Sequence, residues 1–325
     1  MNRDVVPVTV VTGGPEALVV SHRMRDVWGA HRVSVLAHVS HDSVEADTSW
    51  LRLLPVEGYR TSGCECCRVR LDLVEGLRLL VERRARPDHV IVVLDPLCDL
   101  STALQTLLSD PDLQRLIALD AVIATTDAVA LSTRLALGLP FGTQSELERL
   151  SVADRILVVR GGELVDASLH RAMVSLRTVA GFGLIAVPSV WPVDLHHLAG
   201  LNAWHGAPAL DPPAAAEPIT VEDGFDLPQT VLCAIDGDLD PAAVEEWLDE
   251  IVAVNASRIL RLQGALSVAG QEFRVCLHGV RSYASSHSEQ MHGAEERSTR
   301  SVVAISGYCL DADVIRSGFD ATSLR

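Results

Sequence analysis

Residues 7–14 read Pro7-Val8-Thr9-Val10-Val11-Thr12-Gly13-Gly14. From Val8 to Thr12 every side chain is β-branched, and apolar residues do not alternate with polar ones. A strand of that kind is buried on both faces, which is the signature of a parallel sheet covered by helices. Four more strand-length runs follow at Val33–Ala37, Val90–Leu94, Ala121–Thr125 and Arg155–Val159. Helical spacing fills the intervals, as in Val69, Leu73, Leu77 and Leu80, which fall on one face. Strands alternating with helices predict an α/β fold with a doubly wound, mostly parallel sheet. In such sheets ligands bind beyond the carboxyl ends of the strands, where Gly13 and Gly14 stand.

The pattern changes after residue 205. Residues 206–228 are rich in proline, alanine and acidic residues, a linker composition. A smaller α+β unit is expected beyond it. Strands are read at Val231–Ile235, Ile259–Leu262, Glu272–Leu277 and Val302–Ser306. A helix over Pro241–Val252 is opened by Asp240 with proline at its first position, and Asp311–Ser317 forms a short closing helix. The polar stretch 281–301 reads as a hairpin loop. The expected organisation is therefore a domain over 1–205, a linker over 206–228 and a second domain over 229–325.

The chain has 325 residues, 48% of them apolar, and a formal charge of −16; its mean hydropathy is +0.23. It is long enough for two cores. Its acidity argues against direct nucleic-acid binding, which depends on neutralising phosphates. No run approaches the ~20 apolar residues of a membrane helix, and Met1–Val6 does not open a secretory signal. The seven cysteines do not form a disulfide framework, so a cytoplasmic protein with reduced thiols is expected. All 27 cationic residues are arginines. A genomic preference for arginine explains a shortage of lysine, but not the loss of one that catalysis requires.

Three of the cysteines are packed into Gly63-Cys64-Glu65-Cys66-Cys67, just before a helix expected from about Arg68. A helix N-terminus and the charges of Arg68 and Arg70 favour thiolate, the form that binds zinc. Cys64, Cys66 and Cys67 are thus candidate metal ligands, with Co(II) and Cu(I) compatible with the same donors. A fourth ligand is sought among Cys98, His38 and His41, each just past a strand, or in water or a partner. His278, His287 and His292 are weaker accessory candidates. Cys233, Cys276 and Cys309 fall in strand patterns and read as core. A thiol redox sensor is the competing use of the cluster.

In this order and spacing the chain resembles the CobW-like metallochaperone GTPases of the SIMIBI class of P-loop proteins, over almost its whole length. Gly63–Cys67 fits that family's Gly-Cys-x-Cys-Cys metal motif and is followed by Arg70-Leu71-Asp72-Leu73. Pro87-Asp88-His89 resembles the lead-in to the Walker-B strand, and Ala153–Leu157 the approach to the guanine motif. Ser306-Gly307-Tyr308 and Leu310-Asp311 resemble the end of the C-terminal domain. The resemblance implies a P-loop GTPase-like fold and a CobW-type C-terminal domain.

The departures fall on nucleotide chemistry. The phosphate loop Gly-x-x-x-x-Gly-Lys-Thr is matched by Gly13-Gly14-Pro15-Glu16-Ala17-Leu18-Val19-Val20, so valines replace the phosphate lysine and the Mg²⁺ hydroxyl. Glu16 brings negative charge to the place of a polyphosphate. Asp95-Pro96-Leu97 stands where the family has an acid ahead of Thr-Thr-Gly, and Arg160-Gly161-Gly162-Glu163 where it has Asn-Lys-x-Asp. GTP binding is not expected, and no catalytic residue is assigned. The expectation is a zinc-binding, metal-responsive module that recruits a protein. It looks like the actinobacterial factors that bring a hibernation factor to ribosomes when zinc is scarce. Arginines outnumber acids between Arg60 and Arg86, giving a basic face for a ribosomal or acidic protein partner. An active GTP-dependent metallochaperone delivering zinc or cobalt is the alternative.

Overall fold

A computed structural model describes residues 5–38, 51–53, 65–96, 98–137, 142–159, 170, 172–174, 176, 184–186, 198–204, 227–289 and 300–324. The first sheet is built from β1 (Val6–Thr12), β2 (Val33–His38), β3 (Leu51–Leu53), β4 (His89–Leu94), β5 (Ile117–Asp127), β6 (Arg155–Val159) and β7 (Leu184–Ala186). Its order is β3-β2-β4-β1-β5-β6-β7, and each pair is parallel. β1 is central, as its apolar run requires: Val8, Val10 and Val11 are fully buried.

Helices cover both faces. Val8, Val10, Leu36, Val92 and Leu94 pack with Leu73, Leu77 and Leu80 of α2 (Glu65–Val81) and with Leu100, Leu104 and Leu107 of α3 (Leu100–Ser109). On the opposite face Val11, Val35, Ala37, Ile91 and Val93 pack with Ala17, Val20 and Met24 of α1 (Pro15–Trp28). The doubly wound expectation holds. Helices α4 (Ala128–Ala136) and α5 (Gln144–Val152) follow β5, and α5 opens with a capping box between Thr143 and Glu146.

The second sheet contains β8 (Gln229–Asp236), β9 (Ile259–Leu266), β10 (Arg274–Val280), β11 (Tyr283–Glu289) and β12 (Arg300–Gly307) in the order β11-β10-β9-β12-β8, all antiparallel. Two helices, α6 (Pro241–Asn255) and α7 (Ala312–Asp320), cover one face through Trp247, Ile251, Ile315 and Phe319. Gly318 is required there, because a Cβ at that position would lie 2.8 Å from the Trp247 ring. From the other face Leu260 and Val280 join the core of the parallel sheet.

Several details differ from the sequence reading. Helix α2 begins at Glu65 rather than near Arg68, so Cys66 and Cys67 lie inside it, and the closing helix runs over Ala312–Asp320 rather than Asp311–Ser317. Part of the polar stretch 281–301 is strand β11 rather than loop. Strand β10 begins at Arg274 rather than Glu272. Cys309 is exposed, in a left-handed turn at φ 47° beyond β12, whereas Cys233 and Cys276 are buried as expected. His278 is buried within β10, against the Trp204 ring, rather than near a loop. The proline-rich linker lies mostly outside the described residues, as do His41 and His292.

Candidate functional site at the carboxyl edge of the parallel sheet

Strand β1 runs out at Thr12 and the chain turns through Gly13 and Gly14 into α1. Gly13 has φ 154°, and a Cβ there would overlap Thr125 of β5 at 1.9 Å from Oγ1, so only glycine fits. Gly14 is the N-cap residue, and Pro15 takes the first helical position. The backbone N–H of Gly14 donates to Oε1 of Glu16 at 3.0 Å, and the Thr125 hydroxyl donates to the same oxygen at 3.3 Å. The Glu16 side chain therefore curls back over the turn that precedes it. Val19 faces outward, 52% exposed, while Val20 is buried against the sheet with Ala17 and Met24. Neither valine offers a cation or a hydroxyl.

A cation does reach this edge, from an element that the sequence did not single out. Arg149 of α5 is 6% exposed and donates to the Pro96 carbonyl at 2.5 Å and to Ser145 Oγ at 3.3 Å. Burial lowers its pKa, and the charges of Glu146, Glu16 and Asp95 oppose that shift. Its guanidinium is thus the positive counterpart of the two carboxylates at the ends of β4 and β1. Nothing in the sequence around residue 149 marks it, because an arginine in an amphipathic helix reads as surface.

The metal-motif residues are described only in part. Cys64 lies outside the described residues; Cys66 and Cys67 occupy the first turn of α2. Among the described residues no three His, Cys, Asp or Glu side chains converge on a common point. His38 closes β2 at this edge. It is in register with Leu94, which is in register with Thr12, so the three share one sheet face. Leu94 belongs to the α2–α3 layer, and α2 packs on β2. His38 is therefore on the face where α2 begins. It is 6% exposed, and its Nδ1 has no partner among the described residues. Cys98 is 4% exposed within the apolar layer beneath α3, its N–H bonded to the Asp95 carbonyl.

A parallel sheet whose first strand turns through paired glycines into a helix, joined to an antiparallel sheet backed by two helices, defines a P-loop GTPase-like protein with a C-terminal domain. Residues 45–174 match the CobW/HypB/UreG nucleotide-binding domain and residues 229–323 the cobalamin synthesis protein CobW C-terminal domain. The chain belongs to the CobW-like family. It is 25% identical over 288 residues to the zinc chaperone CobW of Sinorhizobium sp, spanning 80% of this chain and 79% of that one. Its fold is that of the Zn(II)-bound YjiA GTPase from E. coli, with a TM-score of 0.68 at 18% identity over 100% of both chains. The Zn(II)-bound triple mutant of YjiA superposes equally well, again at 0.68 and 18% identity over 100% of both.

Proposed function

We propose that this chain binds zinc through Cys64, Cys66 and Cys67 together with His38, and acts in metal homeostasis as a metal-responsive module that recruits a protein partner. The observation that carries the metal reading is His38. A buried imidazole nitrogen without a hydrogen-bond partner is costly; His38 Nδ1 has none among the described residues, and it stands on the face and edge where the Cys66-Cys67 turn begins. A cation would satisfy it, and the family supports the same chemistry: the CobW relative is a zinc chaperone and the YjiA structures are zinc-bound. The thiolates would supply the soft donors and His38 the borderline one, a set suited to Zn²⁺.

Competition with a chromophoric zinc chelator tests the assignment. Wild type should bind one zinc, C66S/C67S none, and H38A should bind at least about tenfold more weakly. Unchanged affinity in H38A would move the fourth position to His41, Cys98, water or a partner.

We infer further that the module works without a GTP switch. Val19 and Val20 stand where a phosphate lysine and a Mg²⁺ hydroxyl are needed, which removes the groups that hold a β,γ-phosphate and its metal. Recruitment of a hibernation factor to ribosomes under zinc scarcity is the form of this reading that the loop and the cysteine motif together favour. Cosedimentation of the protein with ribosomes should change on zinc chelation; indifference to zinc would discard that form. The second reading, a GTP-dependent zinc chaperone, is favoured by the family's nucleotide-binding domain and by the named CobW relative. Labelled GTP with Mg²⁺, with and without zinc, separates the two: binding restores the chaperone.

A further inference from the structure

A phosphate-binding turn uses glycines so that backbone N–H groups can approach an anion closely, at the positive end of a helix. Here the turn opens with Gly13 and Gly14, although Leu18 takes the place of the second consensus glycine, and an anion is already in contact with it. Oε1 of Glu16 accepts from the Gly14 N–H at 3.0 Å and from the Thr125 hydroxyl at 3.3 Å. The glycines are needed for this arrangement. A Cβ on Gly14 would lie 2.6 Å from Glu16 Oε2, and one on Gly13 would strike the Thr125 hydroxyl that donates to Oε1. Pro15 contributes no N–H to an incoming ligand, and the Ala17 N–H is already bonded to the Gly14 carbonyl. The buried Arg149 guanidinium, held on the Pro96 carbonyl, is close enough for its charge and that of Glu16 to interact.

We propose that Glu16 is the specificity-determining residue of this turn: its carboxylate is the resident anion of the phosphate cradle and bars phosphate and polyphosphate ligands. The inference rests on the reading that the turn holds no nucleotide, and it supplies the positive cause. The valines remove attraction for a polyphosphate, whereas Glu16 adds an occupant that an incoming phosphate must displace against like charge. It also explains why Gly13 and Gly14 stand at a turn that has lost its lysine and its second consensus glycine. Their small size serves the chain's own carboxylate.

The test uses inorganic pyrophosphate as the probe, with calorimetric titration of wild type, E16Q and E16A, and GTP with Mg²⁺ as a parallel titrant on wild type. Removing the carboxylate should raise pyrophosphate affinity at least about tenfold over wild type, since one like charge at contact distance is relieved. E16Q keeps the length and the acceptor for Gly14 but not the charge, and should gain in the same direction. Hydrogen exchange of the Gly13–Ala17 segment should quicken in E16A and stay near wild type in E16Q. Equal pyrophosphate affinity across the three proteins, including none in any, would overturn the proposal. If E16A does not fold, E16Q decides by the same criterion. Tight GTP binding by wild type would instead overturn the nucleotide-free reading itself. No GTP binding, with no gain in either variant, would leave that reading standing and remove only the role of Glu16.

Discussion

His89 should control how stability responds to acid. It begins β4, is 8% exposed, packs its ring edge-on against Trp28 at 4.8 Å, and bonds through Nε2 to Thr9 Oγ1 at 2.8 Å. The Thr9 hydroxyl donates its own proton to Asp120 Oδ2 at 3.4 Å, so the imidazole donates to Thr9. Burial pushes the His89 pKa down to about 4. The unfolded chain takes up this proton near pH 6.5 and the folded chain only near pH 4, so stability falls as pH drops through that window. The full loss is about 3 kcal/mol, from ~1.4 kcal/mol per pKa unit. Asp120 acts oppositely: burial raises its pKa, so its contribution is present at low pH and declines as pH rises. Denaturant unfolding at pH 7 and pH 5 should show wild type losing about 2 kcal/mol more than H89Q between the two. Parallel losses would show that His89 is not the titrating group.

Helices here are set by short polar signals that can be removed one at a time. Asp240 accepts from the N–H groups of Ala242 and Ala243 at 2.9 Å each and, with Pro241, starts α6. D240A should cost about 1 kcal/mol, and D240N considerably less, read as a shift in denaturation midpoint at unchanged slope. Signals of this strength are legible in the sequence, as are β1, β2, β4, β5 and β6, whose apolar runs reflect burial on both faces. β11 is not, because Tyr283-Ala-Ser-Ser-His-Ser-Glu lies at a sheet edge, where polar residues are tolerated and no apolar face is imposed. β3 spans only Leu51–Leu53, too few residues for a period to show. The site is legible as motif and unreadable as geometry. The sequence places a negative charge at Glu16 but not its return onto Gly14, and it places His38 past a strand but not on the face of α2. Arg149 is invisible there, because its role comes from α5 crossing above Pro96 and no local pattern encodes that.

The two sheets meet through Leu260 and Val280, which enter the core of the parallel sheet, and through a buried charge cluster. Asp154, between α5 and β6, accepts from the Val122 N–H at 2.7 Å and from Trp204 Nε1 at 2.9 Å, and pairs with Arg261 of β9 at 2.5 Å. Arg261 also donates to the Val152 carbonyl at 2.5 Å, and its guanidinium lies 4.5 Å from the Trp204 ring centroid. Both partners are nearly inaccessible, with side chains 4% and 5% exposed. Such a pair adds little compared with an apolar filling, but losing one partner strands a charge out of water. R261M should therefore destabilise by about 3–5 kcal/mol, because it leaves the buried Asp154 carboxyl without its cationic partner, with the Val122 N–H and Trp204 Nε1 as its donors among the described residues. The double variant D154N/R261M should recover much of that loss, which a purely steric defect would not allow. Calorimetry of the four proteins measures the coupling. On the proposed zinc reading, α5, which ends beside this cluster at Val152 and carries Arg149 at the loop edge, is the element through which zinc would alter hydrogen exchange in β9 and β12, and the same variants should change that response. If R261M is as stable as wild type and transmits the zinc response unaltered, the sheets are held by apolar packing alone and the cluster carries no signal.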